Sequence, residues 1–284
     1  MSYLLFAFLL FHGHFAYPGV FSQLGIDGVP VRWEAANIAL DVSRPTREVR
    51  HMSHDQFVAL VKESASIFNG PLGIRLKVRK LQHTIVSSQE DGVNEVAIIQ
   101  YRKCRDTKDI LNRDNCNDEN RFARTRVYPA IKKVGQQFRK IVEGDIEINA
   151  GDFNRLNTVP EQQKLIAVLR HEIGHLLGLA HNCVESRSAT QTYPDNHRPP
   201  PCDHHDGSQM TALMYPYSSH GVMPASEPSV EEWAYLKNLY PLPIRNSAIP
   251  FGVSIGIGLL FVVVLVVVIL QIRYCRQMRR SNGQ

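Results

Sequence analysis

The chain has 284 residues, enough for one good-sized domain with appendages. Its formal charge is +5, but Arg273, Arg276, Arg279 and Arg280 all sit in the tail 273–284, which has no acid. Removing those four leaves +1, so the rest of the chain is close to neutral and carries no nucleic-acid footprint.

Residues 3–11 form an apolar run too short to span a bilayer and suited to the core of a secretory signal, with cleavage after Ala16. His14 stands where a cleavage site prefers a small residue, and a buried N-terminal strand is the competing reading. Ile38, Leu40 and Val42 alternate and predict a first strand. Ser53 and Gln56 have the spacing of a capping box, which opens a helix running to about Asn69. Phe57, Leu60, Val61, Ile67 and Phe68 give that helix an apolar face, and Asn69-Gly70 stops it. Ile74, Leu76 and Val78 predict a second strand, and residues 96–101 a third. Residues 104–120 are polar and turn-rich, as in a surface loop. Residues 121–142 leave two readings open. Ile131, Val134, Phe138 and Ile141 fit a helical period, while Pro129 and Gly135 divide the segment into two short strands. Residues 144–150 read as a strand with Ile146 and Ile148 on one face.

Thr158 and Glu161 are spaced to cap the next helix, which Leu165, Val168, Leu176 and Leu179 would pack against the sheet. It contains the run His171-Glu172-Ile173-Gly174-His175-Leu176-Leu177-Gly178-Leu179-Ala180-His181. Residues four apart share a helix face, so His171 and His175 can reach one metal ion together. Glu172 lies about 100° further round and flanks the ion. On a continued helix His181 would point away, so the helix must end, and Gly178 supplies the stop. Three protein ligands leave a fourth zinc position open, which marks a catalytic site. About thirty residues downstream comes Ala212-Leu213-Met214-Tyr215-Pro216. The intervening loop holds residues 199–201 (all Pro), Cys202, His204 and His205; the two histidines are either solvated side chains or further ligands. Ser229 and Glu232 cap a last helix with Trp233, Leu236 and Leu239.

The extended His-Glu-x-x-His motif followed by a methionine turn resembles the metzincin zinc metallopeptidases, and Ala-Leu-Met-Tyr-Pro resembles their matrixin branch, the matrix metalloproteinases. The likeness is specific at those two motifs; across residues 31–240 it is one of element order. It implies an α+β zincin-like domain with a twisted mixed sheet, a zinc-binding active-site helix, a Met-turn and a C-terminal helix. A strand at 144–150 would border the substrate cleft. The resemblance implies Zn2+ held by His171, His175 and His181, and hydrolysis of peptide bonds in extracellular or luminal proteins. Glu172 would be the general base toward the attacking water, and Met214 a packing floor. In the matrixin pattern one residue separates the Pro after the Met-turn from a Tyr; here Tyr217 follows Pro216 directly, so no substrate preference is carried over.

Cys104, Cys116, Cys183 and Cys202 allow three pairings; Cys104–Cys116 and Cys183–Cys202 each close a short polar loop and are preferred. Residues 249–272 carry no charge and would span roughly 36 Å as a helix, enough to cross a bilayer. The arginines that follow place the tail in the cytoplasm. The expected organisation is a signal peptide at 1–16, an extracellular or luminal catalytic domain at 17–247, a transmembrane helix at 248–272 and a basic tail at 273–284. This is a single-pass type I membrane protein acting on polypeptides, with no nucleic-acid partner. Gly252 and Gly256 offer a small-residue face for a transmembrane dimer. Two other functions compete: a non-catalytic, membrane-anchored binding protein on the same fold, and a zinc hydrolase of non-peptide amides.

Overall fold

A computed structural model describes residues 29–45, 52–82, 90–99, 122–131, 137–153, 158–184, 199–202, 207–216 and 225–243, with short strand pieces at 21–22, 102–103 and 116–117. The chain divides into two compact units, Met1–Leu242 and Pro243–Gln284. All the elements below belong to the first. The second, beyond Pro243, lies outside the described residues, as do the signal segment and the apolar run at 248–272. Among the described residues no helix is long and apolar enough to cross a membrane.

The elements in chain order are β1 (Phe21–Ser22), β2 (Val31–Arg32), β3 (Asn37–Val42), α1 (His54–Ser66), β4 (Arg75–Lys80), β5 (Glu95–Ile99), β6 (Arg102–Lys103), β7 (Cys116–Asn117), β8 (Ala123–Pro129), β9 (Arg139–Asn149), α2 (Val159–Leu176), β10 (Leu179–Ala180), the single turn α3 (Gly207–Met210) and α4 (Val230–Leu239). The main sheet runs β2-β9-β5-β3-β4, with β8 on the other side of β9. Its pairs are parallel except β8–β9, so the sheet is mixed. The ambiguous segment 121–142 therefore yields strand, not helix, in its described parts.

Register explains which residues form the core. Parallel neighbours in register point to one face. Ile38 pairs with Leu76, Val42 with Val96, Val96 with Ile146 and Ile98 with Ile148. This row joins Phe57, Leu60 and Val61 of α1 and Leu165, Val168, Leu169, Ile173 and Leu176 of α2 in one buried cluster. The opposite face carries acids that are also buried: Asp41, Glu95, Glu143, Asp145 and Glu147. Two are neutralised by cross-strand partners, Asp41 by Arg79 and Glu147 by Arg124. Asp145 accepts the backbone N–H of Glu95 at 3.0 Å, and its Oδ2 has no hydrogen-bond partner. Burial pushes the Asp145 carboxyl up to about 8 and that of Glu95 to about 7, with neighbouring carboxylates adding to both.

The strand expected at 144–150 forms as the end of β9 (Arg139–Asn149), flanked by β5 on one side and β8 on the other. The antiparallel pairing places β8 outside β9, as an edge strand among the described elements. One expectation needs correction. Thr158 does stand at the N-cap of α2 in extended geometry, but its side chain makes no capping hydrogen bond, and Pro160 supplies the preset φ of the first turn instead. The capping boxes at Ser53/Gln56 and Ser229/Glu232 both form.

Candidate metal centre

Helix α2 carries His171 and His175 on successive turns of its buried, C-terminal half. Its end is held from two sides. The Trp33 indole donates to the Leu176 carbonyl at 2.8 Å, and the Tyr240 hydroxyl donates to the Leu177 carbonyl at 2.9 Å. Those two contacts satisfy carbonyls that a helix terminus otherwise leaves orphaned. Gly178 then turns the chain at φ +93°, and a Cβ there would sit 2.5 Å from the Val31 carbonyl oxygen. Both facts require glycine. The turn leads into β10, which pairs antiparallel with β1 and delivers His181.

The three imidazoles meet. His171 Nε2 lies 3.2 Å from His181 Nε2, and His175 Nε2 lies 3.1 Å from it. The three offered nitrogens all fall within 4.8 Å of one another, a group able to hold a metal ion. A tetrahedral zinc with bonds of roughly 2.0–2.1 Å sets its ligand nitrogens about 3.3 Å apart, so these spacings fit. The other ring nitrogens point at main-chain carbonyls: His171 Nδ1 at Leu213 O (2.6 Å) and His175 Nδ1 at Leu179 O (2.8 Å). A carbonyl accepts only, so each neutral ring carries its proton on Nδ1 and turns the Nε2 lone pair inward. Burial holds His171 down at about 3 and His175 at about 4, with the proximity of His175 adding to the first, so both rings are uncharged at neutral pH.

Glu172 is buried at 5% exposure, one residue after His171. Its Oε2 accepts the Thr125 hydroxyl of β8 at 2.6 Å, and the same hydroxyl lies 3.0 Å from the Glu172 carbonyl oxygen.

Ala212, Leu213, Met214 and Tyr215 are all buried, and the segment meets the centre where His171 Nδ1 faces Leu213 O. Their turn is anchored by Glu232 of α4. One carboxylate oxygen accepts Met214 N–H (2.8 Å), and the other accepts Leu213 N–H (3.0 Å) and Ser229 N–H (2.7 Å). Burial raises the Glu232 carboxyl, and these amides pull it back down. Glu232 thus reaches the centre through one peptide: it holds the Met214 amide, and the carbonyl of that same peptide, Leu213 O, accepts from His171. After His181, Asn182 N–H donates to Met214 O at 3.0 Å, and the Cys183–Cys202 disulfide (Cα–Cα 4.9 Å) closes the following loop.

His171, His175 and His181, read from the sequence, lie together; Glu172 is buried one residue after His171, and the preferred Cys183–Cys202 pair is bonded. His204, His205, Cys104 and Tyr217 lie outside the described residues. Sequence reasoning missed Thr125, Leu179 O, Leu213 O and the second role of Glu232. Only Glu232 left a signal, its capping-box spacing.

A family model described as metallo-peptidase family M12 matches residues 51–228, more than half of the chain. No curated protein matches it. Among solved structures, the GM1-bound form of the ECX AB5 holotoxin aligns over 78% of this chain and 89% of that one, at 14% identity and a TM-score of 0.40.

Proposed function

This chain belongs to metallo-peptidase family M12, a family of zinc peptidases, and we propose that it is a zinc-dependent endopeptidase with His171, His175 and His181 as metal ligands and Glu172 as general base. The observation that carries the reading is the meeting of three inward-facing Nε2 atoms beside a buried carboxylate on the same helix. Zinc bound there supplies Lewis-acid polarisation of a peptide carbonyl and a lowered pKa for water.

The chain's own residues do the rest. His171 and His175 stay neutral and oriented because Leu213 O and Leu179 O hold their Nδ1 protons. Glu172 takes a proton from the attacking water and returns it to the leaving amine. By the metzincin resemblance Met214 is a packing floor for the histidines, and Glu232 holds its backbone amide. The edge strand β8, which brings Thr125 to Glu172, is the element we place along the cleft in which an extended substrate lies.

Within the metzincins, Ala212–Pro216 retains the matrixin-like wording while the family match is to M12. The proposed setting is extracellular or luminal, on a type I membrane anchor at residues 248–272 with the basic tail inside. The buried disulfide agrees with an oxidising compartment.

The test is a broad peptide panel with the purified protein, its zinc content measured alongside, with and without a chelator. Chelator-sensitive cleavage supports the reading. A protein that holds one zinc per chain and cleaves nothing supports the competing binding-protein reading instead.

A further inference from the structure

The strand at the edge of the sheet reaches the centre through one side chain. Thr125 pairs with Ile146 of β9 and shares the helix-facing row of β8 with Ala123 and Val127, which pack against the core. Arg124 alternates to the other face, where it meets Glu147. Of that helix-facing row, Thr125 alone carries a hydrogen-bonding side chain, and its hydroxyl lies 2.6 Å from Glu172 Oε2. The main-chain oxygen of Glu172 is further away, at 3.0 Å. A hydroxyl has one proton to give. A separation of 2.6 Å is typical of an O–H donating to an ionised carboxylate, so the carboxylate receives it.

Resting on the peptidase reading above, we propose that Thr125 is a positioning residue: its hydroxyl pins one oxygen of Glu172 and so presets the carboxylate for proton uptake. A glutamate has three rotatable side-chain bonds, whereas a β-branched threonine in a strand is stiff at χ1. The rigid partner therefore sets the geometry of the flexible one. The strand that borders the cleft and the residue that moves the proton then share one fixed reference point, and their separation cannot drift. A catalytic group held to within a fraction of an ångström is what distinguishes a competent site from one whose groups are merely present.

The test uses the full chain. In the zinc-loaded protein, Thr125→Val should lower kcat about tenfold with KM changed less than about twofold and zinc content unchanged, and Thr125→Ser should recover most of the loss. If the Val variant does not fold, Thr125→Ala removes the same hydroxyl. In the zinc-free protein, Thr125→Val should lower Tm by about 4 °C, and by less than about half that in a Glu172→Ala background, because the partner is already gone. Wild-type kcat in Thr125→Val, or an equal Tm loss in both backgrounds, overturns the proposal. Failure of zinc-loaded wild type on every peptide counts against the peptidase reading and, with it, the proton-uptake role, whereas the zinc-free cycle still decides whether Thr125 pins Glu172.

Discussion

A side-chain methyl on Gly174 would lie 2.5 Å from the sulfur of Met214, so the turn packs against bare helix backbone one residue before His175. Met214 is almost fully buried and has little room to retreat. Gly174→Ala should therefore destabilise the protein by about 1–3 kcal/mol through overpacking, read by urea unfolding. Combining it with Met214→Ala should give a loss smaller than the sum of the two single losses. Strict additivity would show that the sulfur is not what the methyl meets.

Removing the carboxylate of Glu172 separates binding from chemistry. Glu172→Ala should retain zinc and lose roughly two to four orders of magnitude in kcat, the scale of general acid–base catalysis. Metal analysis and steady-state kinetics on one preparation check both halves. Full activity in this variant would remove the mechanism.

Glu232 stabilises the centre from a distance. Its carboxylate accepts Leu213, Met214 and Ser229 amides, so Glu232→Ala leaves buried donors without partners. Each unsatisfied buried donor costs about 1–3 kcal/mol, and a loss of several kcal/mol is expected. Zinc should also be released more readily to a competing chelator, because the Leu213 carbonyl that orients His171 sits in the same peptide run. Unchanged metal affinity in a folded Glu232→Ala protein would show that the turn holds without the carboxylate.

The acidic face of the sheet predicts a pH dependence of stability. Burial raises the Asp145 carboxyl to about 8 in the fold, against an ordinary value of 3.8. Between those two values the folded state holds a proton that the unfolded chain has lost. Raising the pH through that window therefore favours the unfolded chain, and the stability conferred by the protonated form is gone above the folded pKa. Asp145→Asn, which keeps an acceptor for the Glu95 amide, should gain on wild type as pH rises from 4 to 8, with a slope of at most about 1.4 kcal/mol per unit. Denaturant midpoints of both proteins across that range measure it. A constant difference would mean that Asp145 ionises in the fold as readily as in the unfolded chain.

Gly178→Ala tests how His181 is presented. The new Cβ meets the Val31 backbone oxygen, and the residue must hold a positive φ. Neither strain is relieved by a side-chain movement. The expected result is a loss of about 2 kcal/mol or more with reduced zinc retention, measured by thermal unfolding with and without zinc. Near-normal stability would place the helix stop elsewhere.

Much of the centre was legible before any fold was known, because its geometry is local. The four-residue step from His171 to His175 follows from helix pitch, and the need for a stop before His181 follows from its position six residues past His175. Gly178 answered that need where the sequence put it. The Ser229/Glu232 capping box was equally local. Segment 121–142 was not: its apolar spacing satisfied two periods at once, and pairing with β9 decided for strand.

What the sequence determined by itself, then, was the set of side chains whose mutual placement depends on a few turns of backbone: two histidines, the carboxylate beside them and the glycine that ends their helix. Tertiary structure alone decided which carbonyls would fix the imidazole tautomers, that Glu232 would grip the methionine turn from 18 residues away, and that Thr125 would touch Glu172 across 47. It also decided that β8 would lie outside β9 in the sheet. These relations are set by sheet order and by how a helix rests on it, and residues so far apart along the chain carry no periodic trace of a contact made in space.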